Sequence, residues 1–173
     1  MNRTVRVFIG AVSIPTLGDW VEVDPYPDTT NEAIAKVAES IAARVGVDAE
    51  WAVMDTDDYP GRSSSLSTIQ AVVTAAAEIG TDVDAVVAYV EWSGDETDNG
   101  YDLAANFQDA YRGTWNSEKE YAVDFAESTA SEQIDAAGSF AHYIDWDAYT
   151  RDVFIDGAWS APAPSGRVYV FSN

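Results

Sequence analysis

The sequence predicts an α+β protein: a ββαβ unit over the first sixty residues, a helical middle, and a C-terminal α+β region. Three observations carry this expectation. Short stretches at both ends alternate apolar and polar residues, as half-buried strands do. Longer stretches keep apolar residues at the helical period behind capping sequences. Clusters of Gly, Pro, Asp and Ser separate them.

Val5, Val7 and Ile9 alternate with Arg6 and Phe8, which predicts a first strand. In Asp19–Asp24, Trp20 and Glu22 share one face while Val21 and Val23 share the other, until Pro25 and Pro27 stop the strand. Thr29-Thr30-Asn31-Glu32 fits a capping box. Ile34, Val37, Ala38, Ile41 and Val45 follow at helical spacing, and Gly46 closes the helix. Glu50–Asp55 reads as a third strand, and Asp57–Ser65 as a linker. A helix is predicted over Leu66–Ile79, with Leu66, Ile69, Val73 and Ala76 on one stripe and Gly80 at its end. Asp82–Trp92 reads as a second helix, although its β-branched valines also suit a strand. Helices follow over Asp102–Tyr111, stopped by Gly113, and over Glu118–Ser128, opened by a second capping box at Ser117–Glu120. The latter sets Tyr121 and Phe125 at i, i+4. Asp145–Phe154 is the last predicted helix, and Arg167–Phe171 a closing strand after a Pro-rich turn.

The 173 residues include 30 Asp and Glu against 9 Lys and Arg, a formal net charge of −21. With 47% apolar residues there is enough to bury, which excludes a disordered acidic tail. Residues 1–60, 61–113 and 114–173 each carry a net −7, so the charge covers the surface rather than forming a block. Such a surface repels itself. Solubility, adaptation to high salt and imitation of a polyanion each account for the excess. Duplex DNA carries one charge per ~1.7 Å of axis, so 21 charges match roughly 36 Å, about one turn, and a dimer about two. Carboxylates at that spacing require an elongated shape, whereas a compact globule of this length has a radius of gyration of only about 16 Å.

Cysteine is absent, which removes disulfides, thiolate metal sites and thiol nucleophiles and suits a reducing cytosol. The longest uncharged run, Ser63–Ala77, is too short and polar to span a membrane. The N-terminus resembles a signal peptide only superficially: its apolar run is short and Pro15 interrupts it. His142 is the only histidine, which excludes His-clustered metal sites, and no strained nucleophile turn surrounds Ser139. Asp95–Gly100 begins like a calcium loop, but Asn106 occupies the position that needs a bidentate Glu. Carboxylate pairs such as Asp55/Asp57, Asp82/Asp84 and Asp145/Asp147 arise by chance among thirty acids. No catalytic residue, metal or cofactor is therefore expected. A basic stripe for direct nucleic-acid binding is also missing. An acidic hydrolase such as a glycosidase, using a carboxylate pair and an aromatic cleft, is the alternative reading; a halophilic protein of unrelated function is another.

Several segments together resemble the ArdA family of antirestriction proteins. Val7–Gly10 followed by Gly18–Val21 is similar to the family's opening hairpin, and Glu50–Asp55 to its acidic-aromatic strand. Phe107–Gly113 with Ser117–Ala122, and above all Tyr143–Asp152, resemble later segments in the same order. The stretch Ser63–Gly100 matches poorly. The resemblance implies an antirestriction protein of the host bacterial cytosol, usually encoded on mobile genetic elements. It would be a DNA mimic that occupies the DNA groove of type I restriction–modification enzymes, without enzymatic activity. It also implies three small domains in a row, here 1–61, 62–103 and 104–173, in an elongated homodimer joined through the C-terminal domains. The mimic surface expected on this basis comprises Asp19, Glu22, Asp24, Asp57, Asp58, Asp82, Asp84, Glu91, Asp95, Glu96, Asp98, Asp109, Glu118, Glu120, Asp124 and Glu127. The aromatic surplus of the C-terminal region places Phe140, Tyr143 and Ile144 at the subunit contact.

Overall fold

In the computed structural model, which describes residues 4–62, 65–94 and 102–172, the N-terminal alternation becomes an antiparallel hairpin. Arg6–Ala11 (β1) pairs with Ile14–Glu22 (β2), setting Phe8 opposite Trp20 and Gly10 opposite Gly18. A helix, Pro27–Val45 (α1), intervenes before Trp51–Asp57 (β3) pairs with the other edge of β1, giving the antiparallel order β2-β1-β3. Strand side chains alternate between faces, so Val5, Val7, Ile9, Val21 and Val23 are all buried. α1 packs against β1 and β2 and buries Ile34 and Ile41. On the other face Phe8 meets Trp20 edge-on at 5.5 Å, and the Arg6 guanidinium lies over the Trp20 ring.

The capping box expected at Thr29–Glu32 does not form. α1 begins three residues earlier, with Tyr26 at the N-cap and Pro27 at the first helical position, where a missing N–H costs nothing. The Thr30 hydroxyl, fully buried, instead accepts from the Asp24 backbone N–H at 3.0 Å. Thr30 thus secures the strand-to-helix turn rather than the helix end.

Leu66–Ile79 (α2) and Val83–Ser93 (α3) form as helices, ending at Gly80 and Gly94 in left-handed conformation. Val83, Val86 and Val87 of α3 are buried in a helix, which settles the strand alternative. Gln70 Nε2 donates to the Asp24 carbonyl at 2.7 Å and the Thr74 hydroxyl to the Pro25 carbonyl at 2.9 Å, tying α2 to the end of the hairpin. Leu103–Ala110 (α4) brings Phe107 edge-on to Tyr89 at 5.8 Å, fully buried.

Tyr111, expected to end that helix, starts a strand instead. Tyr111–Trp115 (β4) pairs with Val168–Ser172 (β6), and Gly113 sits at a bulge with φ 107°. Gly113 therefore bends a strand rather than stopping a helix. Ala158–Pro162 (β5), not anticipated from the sequence, completes an antiparallel sheet of order β4-β6-β5. Between these strands run Glu118–Ala137 (α5) and Trp146–Asp156 (α6). Ser117 caps α5 by accepting from the Glu120 N–H at 3.1 Å, while the Glu120 carboxylate accepts from the Asn116 N–H at 2.7 Å. The reciprocal bond thus reaches one residue beyond the cap. Asp145 caps α6 in the same way, through the Ala148 N–H. α5 runs nine residues past its expected end at Ser128, with a kink at Ala130 (φ −135°). The Ser128 and Thr129 hydroxyls both donate to the Phe125 carbonyl there, competing with the helical bonds of that turn. Tyr121, Ala158 and Val170 form the core under α5 and α6, with Trp115, Val153, Phe154 and Val168 against it. Trp159 stacks on the buried Phe171 at 4.2 Å.

The chain divides into two compact units, Met1–Gln108 and Asp109–Asn173. A Cβ at Gly18 would lie 1.9 Å from the Ile9 carbonyl oxygen. Gly18→Ala is accordingly expected to destabilise the hairpin by about 1–3 kcal/mol, the usual cost of overpacking, measurable by urea denaturation.

Candidate functional site

Acidic groups dominate both units. The first holds 19 acidic residues against 5 basic and the second 11 against 4, net charges of −14 and −7. With so few cations, many carboxylates are held by backbone N–H groups. Asp19 accepts from Trp20 N, Asp24 from Tyr26 N, Glu91 from Arg62 N and Glu120 from Asn116 N, all at 2.7–2.8 Å. These bonds fix the carboxylates without neutralising them.

The expected surface residues fall on several elements. In the first sheet Glu22 and Asp57 flank Arg6 across the strands, and Asp57 forms an ion pair with it. That pair reduces the local negative charge. Asp58 follows with φ 58°, a left-handed conformation that Asp tolerates better than most residues. Asp82 stands at the N-cap position of α3 and Asp84 in its first turn, where the helix dipole favours negative charge. Asp109 is exposed on α4. On α5, Glu118 accepts from the Ser160 hydroxyl, whereas Asp124 and Glu127 are exposed. Their spacing puts Glu120, Asp124 and Glu127 on the side of α5 away from Tyr121, Ala122 and Ala126, which are buried. Asp95, Glu96 and Asp98, with the rest of the acidic turn through Gly100, lie outside the described residues.

Beyond the expected set, the longer α5 adds the exposed Glu132 and Asp135, and α6 adds Asp147, which pairs with Lys119 at 2.8 Å. The sequence pattern hid the α5 pair because Ala130 breaks the helical phase. Phe140 and Tyr143 occupy a 3₁₀ turn, Gly138–Tyr143, and are 75% and 84% exposed, while Ile144 is half-buried. His142 and Ser139 are exposed on the same turn. Among the described residues there is no cluster of three metal-ligating side chains and no helix long and apolar enough to cross a membrane.

Within the segment read as a linker, Tyr59, Gly61 and Arg62 make defined contacts. The Tyr59 ring covers Gly61, and the neighbouring Arg62 N–H binds Glu91 of α3. Burial, with a smaller contribution from the Glu91 charge, pushes the Tyr59 phenol up to about 12.

Fold and surface together define a mixed α+β protein with acidic groups spread over both of its units. A family model described as antirestriction protein (ArdA) matches residues 16–163, and the chain belongs to that family. No curated protein and no solved structure matches it.

A raised phenol pKa favours the folded state while Tyr59 stays protonated. This contribution is full below the ordinary value of 10.0 and is lost as pH rises towards about 12. Absorbance titration at 295 nm should show Tyr59 ionising well after the exposed tyrosines; burial also raises Tyr121, whose share is identified with Tyr121→Phe. Glu91→Gln should lower the Tyr59 midpoint by less than half of the elevation, because burial is the larger cause.

Proposed function

We propose that this chain is a DNA mimic that inhibits type I restriction–modification enzymes by occupying their DNA-binding groove. The observation that carries the reading is the distribution of charge: both units are strongly acidic, with exposed carboxylates on strands, helix starts and the outer side of α5. Membership of the antirestriction family supports it. On this reading the carboxylates pair with the Lys and Arg groups that otherwise hold phosphates, and release the same counter-ions. No base contacts are needed, so inhibition is independent of the target sequence.

No single element suffices. Glu120, Asp124 and Glu127 provide about one charge per 5 Å along α5, at 1.5 Å rise per residue. One DNA strand carries a charge per ~3.4 Å and the duplex one per ~1.7 Å. The mimic surface therefore spans both units, and we infer an elongated cytosolic homodimer of three domains, in which the first unit subdivides near residue 61 and the boundary expected near 103 falls close to the break after Gln108. It acts by binding and has no catalytic residues. Phe140 and Tyr143, large apolar side chains left exposed, form the dimer contact together with Ile144. The expected outcome is a dimer by sedimentation for the parent chain and a monomer for Phe140→Ala/Tyr143→Ala; a persistent dimer would place the contact elsewhere.

Competition with DNA for a purified type I enzyme tests the inhibition itself. Affinity should fall steeply across a salt series, since exposed charges are screened within about 10 Å at 0.1 M. Asp109→Asn or Glu127→Gln alone should cost about 0–1 kcal/mol. Neutralising many carboxylates at once should abolish inhibition while the fold persists. Complete loss from one Asp→Asn change, with the fold intact, would point instead to an enzyme with an indispensable carboxylate.

A further inference from the structure

The second unit contains a cavity of about 490 Å³ between α5, α6 and the end of the sheet. Its walls follow from sequence spacing. Tyr121 and Phe125 stand one turn apart on α5. Tyr149, Asp152 and Asp156, three and four residues apart, share one face of α6. Arg112 of β4 lies at the rim.

Three features set the chemistry of an occupant. Aromatic side chains provide faces on which a flat cation stacks. The Asp156 carboxylate meets no cation or hydrogen-bond donor among the described residues, and Asp152 has only a loose pairing with Arg151 at 3.6 Å. Tyr121 lines the cavity with its ring mostly covered, and its hydroxyl, open to solvent there, has no hydrogen-bond partner among the described residues. An anion would face two carboxylates against one guanidinium, in a chain of net −21. A purely apolar occupant would leave Asp156 and the Tyr121 hydroxyl without partners.

We propose that this cavity receives an arginine side chain from a basic protein surface. Its guanidinium stacks against Phe125 and Tyr149 and donates to Asp152, Asp156 and the Tyr121 hydroxyl. That the arginine belongs to a restriction–modification enzyme rests on the function proposed above; the cavity's own chemistry does not. It would add a localised anchor to an otherwise diffuse electrostatic surface.

The test begins with the chain alone. Nα-acetyl-argininamide is titrated into isotope-labelled protein and followed through backbone amide shifts, with Nα-acetyl-norleucinamide and inorganic phosphate as comparisons. Saturable millimolar binding of the arginine compound is expected, with shifts at Phe125, Tyr149 and Asp156. Asp156→Asn should weaken it roughly three- to tenfold through loss of a charge-assisted bond. Arg112→Gln should tighten it by removing a like charge. Equal binding of the norleucine compound, preferential binding of phosphate, weakening by Arg112→Gln, or no saturable shift at these residues would each overturn the cavity's assignment. The amide spectrum of each variant reports its fold in the same experiment. Phe125→Leu, which alters no charge, is then placed in the DNA-competition assay at fixed salt. A several-fold weaker inhibition is expected; unchanged inhibition by a variant that no longer binds the arginine compound would overturn the enzyme as the arginine's source. If the parent chain does not inhibit at all, the proposed function fails while the cavity result stands.

Discussion

Mutual repulsion among thirty carboxylates, with nine cations to offset it, is the constraint under which this structure forms. Among the described residues, ion pairs serve few of them: Arg6–Asp57, Lys119–Asp147 and the loose Arg151–Asp152 contact are exposed, and such pairs contribute about 0–1 kcal/mol each. Backbone amides take over much of that role. Asp102 and Asp145 bind free N–H groups at the starts of α4 and α6, and Asp24 braces the turn into α1. Carboxylates so placed contribute locally to the fold while their charge stays on the surface. The apolar interior is left to Val, Ile, Ala and aromatic residues, with Thr30 and Thr150 as its buried polar members among the described residues.

This division of labour explains what was legible in the sequence. Strand alternation at Val5–Ile9 and Trp20–Val23, and the helical stripe of α2, depend on apolar residues whose spacing nothing disturbs. Gly46 and Gly80 mark their helix ends correctly, because the chain must leave the helix there. The misreadings have a common origin in residues that serve either of two local structures. Thr29-Thr30 suits a cap, but Pro27 starts the helix earlier and buries Thr30 under a strand end. Tyr111 continues the period of Leu103 and Phe107, yet pairing with β6 draws it into a sheet, an interaction sixty residues distant in the chain. Ala158–Pro162 lacks the usual strand residues except Trp159, and forms because β6 offers it an edge.

The candidate surface was legible in a different sense. Acidity and its even spread are plain from composition, and the resemblance to the ArdA family agrees with the family match over residues 16–163. Which carboxylates remain unengaged was not. Asp57 and Asp124 look alike in the sequence, yet one is tied to Arg6 and the other stands exposed on α5. The cavity beside α6 was equally hidden, since Tyr121 and Tyr149 come together only through helix packing.

The break at Ala130 divides α5 into parts of unequal resilience. Before it, Tyr121, Ala122 and Ala126 are buried, so opening that part disrupts the unit's core. After it, residues 131–137 contribute only the half-buried Ile134 and Ala137. A segment of seven residues is too short to sustain helix cooperativity by itself in water. Its amides therefore exchange with solvent through local opening that spares the preceding turns. Glu132 and Asp135 ride on this yielding segment, so the carboxylates they carry can shift without disturbing the packed half of the helix.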